Sequence, residues 1–464
     1  MKKWLRALLL GVAFTLVLVP AALAGTATVE ELQQVFPEMP AGDSVLTRGV
    51  FAALLAEAAG IQVDEPTVDN QGEAWYLPAV RVLQEKGVIR GYPDGSLHTD
   101  RPVTLLEAAA MSSRVLGLPD GTVPPEVKVA LEEESWGYTP YAWLTKVGLL
   151  GSGEDPAAYL TVDQGLAFLT RVFGTDPKAE EIVRAAQEAQ TKIKDLRFTS
   201  SITMGFRPRP EAAGSVPTIT MEGNTVSEFI YPLTLHQRMD VTVNLPVEAM
   251  PGGDLPEGGK MRMNIEQYLV DGNLYQKVEM PGAAEPLWMK IPGEVMPHLE
   301  SLLEQSGNYA GLPPELQEAF HLHYLGEDVV EGRKVHRIAY YGRLDDWQAL
   351  MKAFPTGLAP ELQQALKEAG EVIKSLSFWG EEAIGVEDNL SYGAEMTGLV
   401  VLADELQGQA LPLESLTFTM RSRDYRYDTG LTIQLPPEAL AAEELPSVFP
   451  EPEAGAPGED TAQQ

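Results

Sequence analysis

The chain has 464 residues, 44% of them hydrophobic and 8% aromatic, which is globular composition with room for two or three domains. Its 67 acidic residues against 34 basic ones leave a formal charge of −33, a field that repels nucleic acid and anionic lipid at long range, so neither is expected as a partner. Cysteine is absent from the sequence, which excludes disulfides, thiolate metal sites, a cysteine nucleophile and a lipid-modified N-terminal cysteine.

A basic start through Arg6, an apolar run over 7–19 and the small-x-small site Ala22-Leu23-Ala24 predict a cleaved signal peptide over 1–24. No later segment is apolar enough to span a bilayer, so no stable membrane span is expected after cleavage. A short helix is expected at 28–35 and a longer one at 46–60, followed by a polar loop at 64–72. Leu77, Val80 and Leu83, with Ala79 and Val82, form an apolar stripe at helical spacing. Gly87 then ends that helix, and Tyr92-Pro93-Asp94-Gly95 has the residues of a β-turn. Thr104 caps the next helix, with Glu107 three residues on completing a capping box.

Thr104 has counterparts 57 residues away on either side, Thr47 and Thr161. Each threonine is followed at fixed offsets by Ala (Ala53, Ala110, Ala167), by a large apolar residue (Leu54, Met111, Phe168) and by Gly (Gly60, Gly117, Gly174). Equal spacing of cap, core residue and terminating glycine predicts an internal repeat. In the third copy Trp136 answers Trp75, Tyr141 answers Val80, Leu144 answers Leu83, Gly148 answers Gly87, and Gln164 completes the box with Thr161.

From Asp176 the pattern changes. A helix is expected over 177–194, and then the period falls to two: Leu196, Phe198, Ser200, Ile202 and Met204 alternate with Arg197, Thr199, Ser201 and Thr203. Further strands are expected at 219–221, 226–231, 239–245, 261–270, 274–278, 287–291, 334–341, 393–402, 416–427 and 431–435, with Asp271-Gly272 as a hairpin turn. Helical insertions are expected at 295–305, 314–320, 346–354 and 360–376, and a disordered acidic tail over 448–464. The pattern predicts an α+β chain: an all-helical repeat domain over 25–175, then, over 176–447, an antiparallel sheet with helices on one face.

Trp75 with the helix to Lys86, Gly91-Tyr92-Pro93-Asp94-Gly95, and Pro102-Val103-Thr104 with Glu107 and Ala108 resemble the S-layer homology (SLH) module, whose pattern ends in Thr-Arg-Ala-Glu. The middle repeat carries the match, and the outer two follow by register. The resemblance implies a compact three-repeat anchoring unit whose grooves hold a pyruvylated, anionic secondary cell-wall polysaccharide or a peptidoglycan-linked polymer. It also implies that the arginine of the motif grips a carboxylate, as a bidentate guanidinium does well. Only Arg48 follows a repeat threonine; Leu105 and Val162 hold the matching positions, leaving Arg101 or Arg90 to compensate. The candidate polymer-binding residues are therefore Thr47, Arg48, Trp75, Asp94, Gly95, Arg101 and Thr104. The second part, by its order of elements and by turns such as the one between Tyr268 and Tyr275, resembles exported half-barrel proteins of the LolA lipoprotein-carrier type. That resemblance implies a curved sheet and an apolar or envelope-derived ligand, and it carries no binding residue over.

Each candidate has a plainer reading. Trp75 and Trp136 are expected to be core residues at helix starts rather than sugar platforms, and Asp94 and Gly95 are turn residues first. Asp64, Asp69, Asn70 and Glu73 lack the spacing of a calcium loop. His321 and His323 would share a strand face, with His336 nearby, but no further ligands stand at diagnostic spacing, so no metal or other cofactor is expected. The aromatic and methionine residues Met261, Met263, Tyr268, Tyr275, Met280, Trp288, Met289, Phe378 and Trp379 suit either an apolar cavity or an ordinary core. The sequence thus predicts a non-catalytic exported protein of the bacterial cell surface, with a wall-tethered polysaccharide or peptide hydrolase as the alternative.

Overall fold

In this computed structural model the described residues are Leu32, 39–63, 74–118, 127–174, 176–212, 219–244, 259–279, 285–293, 320–345, 372–406 and 409–444. The signal segment 1–24, the acidic cluster at 64–73, Met280, the insertions at 295–305, 314–319, 346–354 and 360–371, and the tail at 448–464 lie outside them.

The N-terminal region is helical: α1 (Arg48–Ala58), α2 (Leu77–Glu85), α3 (Leu105–Val115), α4 (Tyr138–Lys146) and α5 (Val162–Phe173). The three spaced threonines are the N-caps of α1, α3 and α5. Thr104 and Thr161 form full capping boxes with Glu107 and Gln164, whereas Thr47 only accepts a long bond from Val50 N at 3.4 Å, since its third position holds no Glu or Gln. Gly60, Gly87, Gly117 and Gly148 adopt φ from +64° to +78°, the left-handed turn that closes a helix. Gly174 does not: its backbone is extended.

The segments entering these caps pair in a ring. Leu46 N donates to Leu160 O at 2.8 Å, Leu160 N to Val103 O at 3.1 Å, and Val103 N to Leu46 O at 2.9 Å. Two residues on, Arg48 N donates to Arg101 O, Leu105 N to Ala158 O and Val162 N to Ser44 O, at 2.9 to 3.0 Å. Donors and acceptors alike are spaced 57 residues apart, so the sequence interval reappears as a closed cycle of hydrogen bonds.

After α6 (Pro177–Gln190) come β1 (Asp195–Pro208), β2 (Ile219–Ile230), β3 (Thr234–Asn244), β4 (Lys260–Val270), β5 (Asn273–Glu279), β6 (Leu287–Ile291), β7 (Phe320–Val330), β8 (Arg333–Leu344), β9 (Ile373–Gly385) and β10 (Ser391–Leu402). The short β11 (Glu405–Leu406) and β12 (Gln409–Ala410), then β13 (Leu413–Tyr427), α7 (Pro437–Leu440) and β14 (Glu443–Glu444) complete the described elements. Twelve strands form one sheet in the order β14-β6-β5-β4-β3-β2-β1-β13-β10-β9-β8-β7, antiparallel throughout except where β14 meets β6. One meander runs outward from β1 to β6. The other runs inward from β7 to β13, and the pairing of β1 with β13 welds them together.

Several expectations need correction. The segment at 431–435 is not a strand, because Leu431 N, with Thr429 and Gly430, is turned onto the Asp195 carboxylate. The helix expected to reach Leu376 is strand from Ile373 onward, and β7 begins at Phe320, where a helix end was expected. The breaks expected within β2 do not occur, since the chain runs straight through Gly223. Asp271 and Gly272, at φ +50° and +74°, make the expected hairpin turn, and Glu331-Gly332 makes a second of the same form.

Helices also lie on both faces of the sheet rather than one. The buried side of α6, Ala179, Ile182 and Val183, packs on Leu322, Ile338, Tyr340, Phe378 and Met396, the even-numbered residues of β7 to β10. Their odd-numbered neighbours Ala339, Tyr341 and Trp379 belong to the core of the N-terminal helices. Trp143 of α4 meets Trp379 edge-on at 4.5 Å, Phe173 of α5 meets His321 at 5.8 Å, and Tyr341 donates to Val172 O at 2.8 Å. Alternation along a strand places consecutive side chains on opposite faces, so β7 to β9 are clamped between two helical layers.

Candidate functional site

The junction between α1 and the loop before α3 gathers the predicted residues. Thr47 bridges to Pro102, which brings Arg48 beneath the loop that starts at Tyr92. The Arg48 side chain is only 8% exposed; its Nη1 lies 3.0 Å from Glu107 Oε1 and its Nε donates to Leu97 O at 3.2 Å. Glu107 is already the capping-box partner of Thr104 and also accepts from the Tyr92 hydroxyl at 2.5 Å. Burial, reinforced by that bond to Glu107, raises the Tyr92 pKa, so the phenol stays protonated and donating. Arg48 and Arg101 both stand over the Tyr92 ring, at 5.1 and 5.7 Å.

The two arginines differ in what they have left to give. Arg48 is spent on a buried carboxylate. Arg101 is exposed and has no acidic partner among the described residues. Below it, Asp94 accepts from Ser96 N at 2.9 Å and Ser96 Oγ at 2.6 Å, bonds that hold its carboxyl below the usual range, and His98 Nε2 stands 3.3 Å away. Asp94 and Gly95, at φ +81°, therefore build the turn. Trp75 packs edge-on against Tyr76 at 5.8 Å and borders the helical core. Tyr92 was not singled out by sequence reasoning, although its place in the Gly-Tyr-Pro-Asp-Gly turn was the available signal.

Residues 69–109 match the S-layer homology domain family. This segment is an SLH domain. A further match covers residues 178–318, to a family of unknown function, DUF6612. The S-layer protein sap of Bacillus anthracis is 25% identical over 174 residues, 34% of this chain and 21% of its own length. The S-layer protein of Bacillus thuringiensis subsp. finitimus is 25% identical over 175 residues, with the same coverage. The chain thus spans about a fifth of the length of these relatives. Among solved structures, the Mycobacterium tuberculosis lipoprotein LppX aligns over 56% of this chain and all of its own, at 9% identity and a TM-score of 0.23. The SLH domain and the S-layer relatives mark a secreted, cell-surface protein.

Around the ring of caps, the SLH domain's charged junction has no copies. Where Arg101 faces Arg48, the equivalent pairs are Ala158 with Leu105 and Ser44 with Val162. Trp136, expected in the core like Trp75, is instead 62% exposed. Next to it the packing is reversed: the Tyr76 ring beside Trp75 fills the space over Gly49, whereas the residue after Trp136 is Gly137 and Leu106 fills the space over it.

The sheet does not assemble the aromatic and methionine set into one cavity. Met261 and Met263 join Met204, Met221 and Met239 on the face that also carries α6. Tyr268, Tyr275 and Trp288 lie on the other face with Ala439, Phe378 sits under α6, and Trp379 under α4. His321 and His323 share the face of β7 turned to the helices, while His336 pairs with Ile384 on the opposite face, its Nδ1 3.5 Å from the Tyr324 hydroxyl.

Proposed function

We propose that residues 25–175 form one three-repeat SLH unit that docks on an anionic wall polymer, a secondary cell-wall polysaccharide or a peptidoglycan-linked polymer, through its first junction alone. Arg101 is the gripping cation, held over Tyr92, while Arg48 supports the groove through Glu107. The observation that carries this reading is the pair of arginines on one tyrosine ring, one neutralised and one open to solvent. A guanidinium braced on an aromatic face is preorganised for a carboxylate, and it remains attractive at short range even in a chain of charge −33. The ring of cap hydrogen bonds supports counting three repeats, and the loss of charge at two of them supports a single site.

Residues 176–447 then form a half-barrel-like unit, which we read as a non-catalytic binder of an apolar or envelope-derived ligand. The methionine-rich face of β1 to β4 supports it, because thioethers adapt to irregular apolar shapes. Sedimentation of the protein with purified cell wall tests the first unit. Arg101→Ala is expected to lose about tenfold or more in wall affinity, the cost of one charge-assisted contact. Equal sedimentation of wild type and Arg101→Ala at moderate salt would remove the site, and release of reducing sugars from the wall would favour the hydrolase instead.

A further inference from the structure

On the α6 side of the sheet, one row of residues breaks the apolar pattern. Ser227 of β2, Gln237 of β3, Gln267 of β4 and Gln276 of β5 are successive cross-strand partners and so stand side by side on one face. All four are buried, Ser227 and Gln237 completely. The neighbouring rows are apolar on β3 to β5: Phe229, Leu235, Leu269 and Leu274 on one side, Met239, Ile265 and Val278, with Thr225 of β2, on the other. Among the described residues the row makes one side-chain hydrogen bond, Gln237 Nε2 donating to Ser227 Oγ at 2.9 Å, and the Gln237 carbonyl Oε1 is buried without a donor.

Three carboxamides in an apolar layer with a single bond among them are costly to bury, and apolar residues of similar volume would fill the same rows more stably. A carboxamide supplies two donors and an acceptor, and this row spans about 14 Å at the ordinary strand spacing of about 4.8 Å. No charged residue stands on this face of β2 to β5. A carboxylate or phosphate bound here would be desolvated without a counter-ion, whereas hydroxyl or amide groups would be satisfied. Along the same face, starting in the row next to Gln237, lies the buried to half-buried methionine cluster of Met204, Met221, Met239 and Met261, whose thioethers are chemistry that suits a hydrocarbon chain.

We infer that this row is a headgroup shelf for an uncharged amphiphile: hydroxyl or amide groups of the ligand pair with Gln237, Gln267 and Gln276, and its acyl or isoprenoid chain lies along the methionines. The inference rests on the reading of the sheet as a binder of apolar ligands and specifies the chemistry it selects.

The test titrates the full chain with 1-monooleoylglycerol and with oleate, which share one acyl chain and differ in a neutral diol against a carboxylate. The wild type is expected to bind monooleoylglycerol about tenfold tighter than oleate. Gln237→Leu, and the separate variant Gln267→Leu, are expected to lower monooleoylglycerol affinity about tenfold, since each removes a carboxamide that would pair with the ligand's diol. Unchanged monooleoylglycerol affinity in both variants overturns the shelf, as does a wild type that prefers oleate. A wild type that binds neither compound overturns the apolar-ligand reading along with it.

Discussion

The join between the N-terminal helices and the sheet should weaken in mild acid. His321 lies buried between the rings of Phe173 and Tyr341, and desolvation pushes its pKa down to about 4 from an ordinary value near 6.5. His323, two residues on, is also lowered, by burial first and by Arg171, against the opposing pull of Asp176 at 3.3 Å. A histidine with a depressed pKa folds neutral, so between the two values the unfolded chain binds more protons than the folded one. Stability from His321 is therefore complete above about pH 6.5, declines as pH falls, and is lost by about pH 4. The shift corresponds to about 3 kcal/mol in all, of which about 2 kcal/mol is gone by pH 5. Urea unfolding followed by tryptophan emission reports on this join, because Trp143 and Trp379 meet across it. The wild type is compared with His321→Leu from pH 7.5 to 4.5. The difference in unfolding free energy should shrink by about 2 kcal/mol between pH 7.5 and 5. A difference that stays constant across that range would show that His321 is not buried neutral at the join, and the reasoning would fail.

Tyr341→Phe removes the hydroxyl donated to Val172 O and should cost about 1 kcal/mol in urea unfolding, whereas Trp379→Ala, which opens a void against Trp143, should cost about 3 to 5 kcal/mol. Asp195 is buried, yet bonds from Thr429, Gly430 and Leu431 outweigh desolvation and keep its pKa low. Asp195→Ala should destabilise by about 3 kcal/mol and Asp195→Asn by less, measured the same way; equal and small losses would mean that the turn holds itself. Thr104→Ala and Thr161→Ala should each lower the stability of the helical region by about 1 kcal/mol, and Thr47→Ala by less, since its cap bond is long and unreciprocated. Thermal melts by circular dichroism read this ordering.

The sequence by itself determined the elements whose signals are local. Capping threonines at a fixed interval, glycines that close helices and an alternating β1 required no knowledge of what packs where, because a backbone cap or a left-handed turn is satisfied within a few residues. It also determined the SLH segment and the one junction that retains arginine. Only the tertiary structure decided that Arg48 is consumed by Glu107 while Arg101 stays open, since a charge's availability depends on a partner 59 residues away. It alone revealed β9, because a strand covered on both faces loses alternation: Leu376 and Phe378 face α6's side while Ser377 and Trp379 face the helices, and the resulting run reads like a helix. The glutamine row was invisible for the same reason. Its members lie on separate strands, and only pairing in register turns three unremarkable residues into a line of buried amides.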